Sequence, residues 1–267
     1  MGGRMSPELH QHRQMAKSFG SDPQRYDRSR PRYPDAMVER VVAASPGLDV
    51  LDVGFGTGIA ARQFAAVGCR VLGVEPDARM AEWARQGGLE VEVATFEDWD
   101  PAGRAFDAVI AGQSWHWVDP VAGAAKAGAV LRPTGRLAVF RSDGGAPPDL
   151  AEAFAAASRQ VLPATLAARL QATPPAEGSS APSAQAAVGI HQAGLFDDPE
   201  QWQYDWEKCY TRDEWLDQLP TQGFYTRLPQ EKLDRLLADT GTAIDAVGGS
   251  FVMRYTTTVV TAARAAT

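Results

Sequence analysis

The sequence predicts a doubly wound α/β fold, and three observations carry that expectation. Short apolar runs recur at Asp49 to Val53, Arg70 to Val74, Leu89 to Val93, Phe106 to Ala111 and Arg136 to Phe140, separated by helix-sized segments. Runs of that length suit strands buried on both faces, the signature of a parallel sheet built from βαβ units. The first run passes into the glycine punctuation Gly54-Phe55-Gly56-Thr57-Gly58, and Ile59, Phe64, Ala65 and Val67 then fall on one helix-like face.

Composition bounds the rest. The 267 residues are 45% hydrophobic and 22% charged, which suits one large globular domain, or one domain carrying an insertion, with a full core. Lys and Arg number 26 against 33 Asp and Glu, and the resulting net charge of −7 repels phosphate backbones and anionic lipid. Nucleic acid and membranes are therefore not expected partners. No apolar run approaches the roughly 18 to 20 residues of a membrane span, and the N-terminal residues lack the apolar region of a signal peptide, so the expected location is cytoplasmic. Cys69 and Cys209 read as two buried thiols of a reducing compartment. With four histidines (His10, His12, His116, His191) and no close cysteine spacing, no metal site is expected.

Four parts follow along the chain. Residues 1–34 are a polar, Arg-rich arm or cover, in which Pro31 and Pro34 forbid a continuous helix. Residues 35–141 are the regular α/β core, opening with an amphipathic helix that carries Met37, Val41 and Val42. Residues 142–200 leave the sheet pattern; a helix is expected over Leu150 to Leu162, then a low-complexity piece over Thr173 to Pro182, and the whole reads as an inserted helical lid. Residues 201–267 complete the sheet with an alternating aromatic strand (Trp202, Tyr204, Trp206), two helical segments and a β-branched strand from Phe251 to Val260. The two late strands suggest a hairpin on the far edge of the sheet.

The glycine segment carries the chemistry. Glycines there allow positive φ and a close ligand approach, and the helix that follows offers free N–H groups. The dinucleotide fingerprint G-x-G-x-x-G/A would need a small residue at position 59, where Ile59 stands, so NAD is disfavoured. No G-x-x-x-x-G-K-[ST] occurs, which excludes a triphosphate-binding loop of that kind. Asp52-x-Gly54-x-Gly56-x-Gly58, followed by Glu75 at the end of the next strand, resembles the class I S-adenosylmethionine (SAM)-dependent methyltransferases. Phe106-Asp107-Ala108-Val109-Ile110 and Val130-Leu131-Arg132-Pro133-Thr134-Gly135-Arg136-Leu137 extend the resemblance over residues 45–141. The arm from Tyr26 to Pro34, the Trp115-His116-Trp117 turn and the last strands resemble the small-molecule, trans-aconitate methyltransferase-like (type 11) branch.

The resemblance implies a Rossmann-like, seven-stranded, mostly parallel sheet with an antiparallel last strand, and SAM as cofactor. Glu75 would then accept both ribose hydroxyls, which suits a carboxylate opposite Gly56. Asp52, buried by its neighbours, must be hydrogen-bonded either to the glycine-loop backbone or to the amino acid end of the cofactor. Gly54, Gly56 and Gly58 line the contact, and Phe55 is expected to point away. Pro76 and Met80 offer apolar contact to the adenine, although the spacing of Met80 from Trp83 and Ala84 fits core packing equally. Where the family often carries an acid for the adenine amino group, this chain has Thr95, Phe96 and Glu97, among which the sequence does not choose. Ala111 and Gln113, at the end of the fourth strand, complete the expected cofactor contacts. Tyr26 and Tyr33 look like the family's cover residues; Arg30, with Arg25, Arg28 and Arg32, is either a solvated basic face or a clamp on a carboxylate.

An O- or C-acceptor needs its proton removed by a base within hydrogen-bond reach. His116 is best placed, after the fourth strand at the carboxyl edge where open α/β sheets bind ligands, and Trp115 and Trp117 are expected to exclude water around it; the alternative is a histidine that only shapes the pocket. His10, His12 and His191 lie in segments that could fold over the site. Trp202, Tyr204, Trp206, Tyr210, Trp215, Phe224 and Tyr225 suit a flat or apolar acceptor, or core packing. The expected function is methyl transfer to a small-molecule acceptor. Its alternative is a SAM-binding protein that transfers no methyl, with a cyclase or regulatory role. RNA or protein methylation is opposed by the charge and by the lack of an Asn/Asp-Pro-Pro-Tyr motif.

Overall fold

The central apolar runs become strands because their residues find a core on both sides. In β1 (Asp49–Val53), Leu51 and Val53 enter one core with Val109 and Leu137, while Val50 enters the other with Met37, Phe64 and Phe140. The computed structural model describes residues 18–163 and 181–266. Its sheet has the order β3-β2-β1-β4-β5-β7-β6. The strands β2 (Arg70–Glu75), β3 (Glu90–Val93), β4 (Phe106–Gly112) and β5 (Leu131–Gly145) run parallel with β1. The last strand, β7 (Ser250–Ala263), is antiparallel to both β5 and β6 (Glu200–Thr211).

The late strands form the expected antiparallel pair at the far edge of the sheet. The final strand enters between β5 and β6, leaving β6 at the edge, and helices rather than a turn join the two. Ten residues of β7 pair with β5 and twelve with β6, so its backbone groups are satisfied on both sides over residues 254–261.

Helices α2 (Asp35–Ala43), α3 (Ile59–Ala66) and α4 (Ala78–Gln86) cover one face. On the other lie α5 (Pro120–Val130) and α7 (Ala181–Ala193), and Ile190 of α7 is fully buried there. Within the arm lies α1 (Pro23–Ser29), capped by Asp22 with Pro23 in its first turn, and it ends before Pro31 and Pro34, whose nitrogens carry no hydrogen to donate and whose rings clash with a preceding helical turn.

Strand order reverses between β1 and β4, so a crevice opens at their carboxyl ends. Beyond it the sheet continues on one side only. The pairs Gly145 with Arg254 and Thr211 with Ser250 carry β5, β7 and β6 past the end of β4, which stops opposite Phe140. These projecting ends form a second core with α6 (Pro148–Val161), α8 (Arg212–Gln218) and α9 (Gln230–Ala246).

The 142–200 stretch, expected as a lid, distributes itself among these layers: its start prolongs β5, α6 packs on α9, and α7 packs on α5. Residues 164–180 of it, with His10, His12 and the first half of the arm, lie outside the described residues. Cys69 is buried, but Cys209 is exposed, contrary to the expected pair of buried thiols, because the alternation of edge strand β6 turns it outward. Among the described residues no helix is long and apolar enough to cross a membrane, and no cluster of histidine, cysteine and carboxylates could hold a metal.

Candidate active site

The three loop glycines are required for three different reasons. All have positive φ, at 71°, 58° and 85° for Gly54, Gly56 and Gly58. A Cβ on Gly54 would lie 2.3 Å from the Cβ of Ser114, so this glycine admits the end of β4 rather than a ligand. A Cβ on Gly58 would lie 2.3 Å from Leu89 and 3.0 Å from the Phe55 ring, and its left-handed backbone starts α3. Only Gly56 has open space over its Cα. Phe55 points away from the crevice into a cluster with Ala61, Ala81, Ala84 and Val91, a position that Gly73 makes possible by leaving room for the ring.

Two carboxylates face this loop. Glu75, at the end of β2, accepts the Gly56 N–H at 2.7 Å on one oxygen and the Asp77 N–H at 2.8 Å on the other, latching the loop to the strand. Burial pushes its carboxyl up to about 7, against the lowering pull of those two backbone donors, and the Asp77 charge adds to the rise. Asp52 is 2% exposed, and its Oδ2 has no hydrogen-bond partner. Burial pushes the Asp52 carboxyl up to about 8, and the nearby Glu75 charge contributes. An unpartnered buried carboxyl costs on the order of 1–3 kcal/mol, so a donor is needed there. Glu75 and Asp52 both line a cavity of about 2690 Å³ that runs from the crevice to the projecting strands. That is several times what one small ligand fills, and it leaves room for two.

The arm closes this cavity and is held from both sides. Gln63 of α3 accepts from the Tyr33 N–H at 2.9 Å and donates to its carbonyl at 2.7 Å. Arg25 and Arg28 both pair with Asp217 on α8, so they are neither a free basic face nor a ligand clamp. Arg30 lies over the Tyr26 ring at 4.9 Å and donates to the Thr221 carbonyl at 2.5 Å. Tyr33 meets Phe140 edge-on at 4.7 Å; burial pushes its phenol up, helped by Tyr26 and Asp52.

Tyr26, Arg30, Tyr33, Asp52, Gly54, Gly56, Glu75, Pro76, Met80, Thr95, Phe96, Glu97, Gln113 and His116 all line the cavity. Gly58 and Ala111 do not; Ala111 is fully buried in the core beneath it. The Thr95 hydroxyl donates to Asp98 at 2.8 Å, the Glu97 carbonyl accepts from Lys126, and Phe96 is buried to 3%. Gln113 holds a positive φ of 59°, strained for a residue with a side chain, and its amide donates to the Ser142 carbonyl at 2.8 Å.

His116 is exposed at the rim, in the single 3₁₀ turn Trp115–Trp117. The expected enclosure by two tryptophans does not occur. Successive residues of a 3₁₀ turn point in different directions, so Trp115 enters the core beside Phe96 while Trp117 alone meets the His116 ring, at 4.4 Å. His191 is exposed on α7 and lies away from the cavity.

Sequence reasoning missed Ser114, whose hydroxyl donates to the Val53 carbonyl at 2.5 Å and ties β4 to the glycine loop. It also missed the outer wall, where Phe154, Gln218, Leu236, Thr240 and Tyr255 line the cavity. The alternating aromatics split: Trp202 is packed between Arg40 and Arg136, whereas Trp206 faces the cavity.

Residues 51–139 match the protein family described as a methyltransferase domain. Those residues of the chain therefore carry a methyltransferase domain. An uncharacterized methyltransferase of Mycobacterium tuberculosis is 38% identical over 128 residues, 47% of this chain and 52% of the relative. A ubiquinone biosynthesis O-methyltransferase of Methylocella silvestris is 36% identical over 98 residues, covering 34% of this chain and 38% of that protein. The chain thus spans about half or less of the length of the curated relatives it matches. A provisionally named type II methyltransferase from Anaeromyxobacter dehalogenans superposes with a TM-score of 0.59 at 22% identity, over 88% of this chain and 97% of that one, and it shares the fold. The glycine loop, Asp52 and Glu75 all fall inside the matched methyltransferase domain, whereas α6, α8, α9 and the projecting ends of the late strands lie outside it.

Proposed function

We propose that this chain transfers a methyl group from SAM to a small-molecule acceptor. The observation that carries the reading is the pair of buried carboxyls at the one open glycine: Glu75 latched to Gly56, and Asp52 with an unpartnered oxygen. A neutral diol and a cationic amino acid end are what such a pair suits, because a carboxylate accepts from hydroxyls and from ammonium, whereas phosphate would be repelled. The donor set therefore fits SAM. Glu75 holds the ribose with lone pairs not used by the backbone; Asp52 takes the amino group, directly or through water. Pro76, Met80 and the Thr95-Phe96-Glu97 segment flank the adenine, and Tyr26, Arg30 and Tyr33 cover the far side.

When bound, SAM supplies a methyl carbon activated by the adjoining sulfonium. The chain contributes orientation and water exclusion, which provide most of the rate in such displacements. The arm, fixed by Gln63 and Asp217, keeps water from the cofactor half. Helix α6, whose Ala151 and Phe154 line the outer half, serves as the lid. For an acceptor with a proton to lose, an imidazole nitrogen of His116 receives it at the rim.

Titration calorimetry with SAM, followed by detection of S-adenosylhomocysteine after incubation with a metabolite extract, tests the reading. Binding with product is expected; binding without product from any extract would leave a SAM-binding protein that transfers no methyl. No binding at all would remove the reading.

A further inference from the structure

The outer half of the cavity has a flat aromatic floor. Gly144, Tyr255 and Trp206 are register partners across β5, β7 and β6 and so stand in one row on one face of the sheet. Gly144 makes room for its neighbour, since a Cβ there would lie 2.5 Å from the Tyr255 ring. Trp206 lies on Tyr255 with ring centres 4.3 Å apart and planes 13° from parallel. Both rings have their polar atoms engaged. The Trp206 indole N–H donates to Thr257 Oγ1 at 2.9 Å, Thr257 is bonded to Ser142 Oγ at 2.8 Å, and the Tyr255 hydroxyl pairs with that of Tyr210 at 2.8 Å. What the pair offers to a ligand is a π face held at fixed height.

Opposite, the helical wall carries polar groups among its apolar residues: the Ser158 and Tyr225 hydroxyls satisfy each other at 2.8 Å, whereas Trp215, Gln218 and Thr240 each keep an unpartnered atom. Gln218 is 4% exposed and Thr240 is 1% exposed; both line the cavity, and Gln218 Oε1 and Thr240 Oγ1 have no hydrogen-bond partner. Buried polar atoms are normally paired, so three orphans lining one chamber, Trp215 Nε1 among them, call for a ligand with complementary groups. Because the two rings are stacked and Gly144 lies against Tyr255, the flat face left to a ligand is the outer face of Trp206. A site for a quaternary ammonium instead surrounds the cation with ring faces at angles to one another.

We infer that the outer chamber takes a planar aromatic acceptor, laid on the Trp206–Tyr255 pair, with its polar substituents toward Gln218 and Thr240. The inference rests on the methyl-transfer reading for the word acceptor, but aromatic binding as such is measured separately from it.

The probe is naphthalene-2,3-diol, titrated calorimetrically into the full-length protein beside decahydronaphthalene-2,3-diol, choline and trans-aconitate, with SAM titrated into the same samples. The aromatic diol is expected to bind and its saturated counterpart not to. Trp206→Leu should weaken the diol about ten-fold or more, Trp206→Phe should retain it within about three-fold, and neither should alter SAM affinity. Retention in Trp206→Phe separates loss of the platform from loss of the fold. Equal binding of the two diols, preference for choline or trans-aconitate, or an unchanged affinity in Trp206→Leu would overturn the inference. So would failure of the naphthalenediol to bind a protein that binds SAM. Aromatic binding without SAM binding would support the platform while removing the methyl-transfer reading.

Discussion

The crevice at the ends of β1 and β2 is made mostly of backbone, whereas the chamber beneath the projecting ends of β5, β7 and β6 is made of side chains. In the crevice, β1, the loop after it and the end of β2 bring together Asp52, bare Gly56 and Glu75, all within residues 52–75. In the chamber, Phe154, Trp206, Gln218, Thr240 and Tyr255 arrive from five separate elements. Backbone geometry tolerates few substitutions and repeats from protein to protein, which is why the matched domain covers the crevice and stops before most of the chamber. Side-chain walls can change without disturbing the sheet. On the proposed reading the crevice is the cofactor half of the molecule and the chamber the acceptor half.

The comparison breaks most visibly at Glu75. Glu75→Ala removes a charged acceptor and unlatches Gly56, so SAM affinity should fall by roughly 2–4 kcal/mol in a calorimetric titration. An unchanged dissociation constant would mean that the ribose lies elsewhere. The next effect belongs to the rim between the halves. His116→Ala should lower kcat by on the order of 10² while sparing SAM affinity, and should remove the acidic limb of the pH–rate profile. A limb that persists would show that the proton goes to another group.

A third test uses the buried carboxyls. Asp52 and Glu75 titrate near 8 and 7 in the folded chain, above the ordinary range of about 4, so between those limits the folded state holds more protons than the unfolded one. Their contribution to stability is complete below about pH 4 and is lost as pH rises through 7 and 8. The free protein should therefore melt at lower temperature at pH 8.5 than at pH 5.5 on account of these groups, and Asp52→Asn should flatten that slope. Because a cation favours the ionised carboxylate, SAM affinity should rise across the same window in the wild type and rise less in the variant. A flat affinity profile in the wild type would separate Asp52 from the cofactor. The smallest expected effect lies in the chamber: Thr257→Val removes the anchor of the Trp206 indole, at a cost of about 1 kcal/mol, and should raise the acceptor KM a few-fold at constant SAM affinity. Steady-state kinetics with any turned-over acceptor reads it.

The unequal legibility of the two halves follows from the same physics. Strands β1 and β4 could be read because burial on both faces demands apolar runs, and Glu75 because it ends the apolar run of β2. The tail of β5, Arg141 to Gly145, has no strand-forming character; it is extended because β7 pairs with it, and that pairing joins residues more than a hundred positions apart. The need for Gly54 was legible, but its cause was not, since contact with Ser114 depends on the register of β4 against β1. Gly73 inside a strand was the available signal that a large ring, Phe55, lies against it. Trp202 and Trp206 alternate identically in sequence; only the helices above them decide that one is core and the other wall.

The most direct test of the division is SAM titration into three proteins, the wild type, Glu75→Ala and Trp206→Phe. The account predicts binding in the wild type, a loss of thirty-fold or more in Glu75→Ala, equivalent to about 2 kcal/mol or more, and wild-type affinity in Trp206→Phe. Equal losses in the two variants, or full SAM affinity in Glu75→Ala, would contradict it.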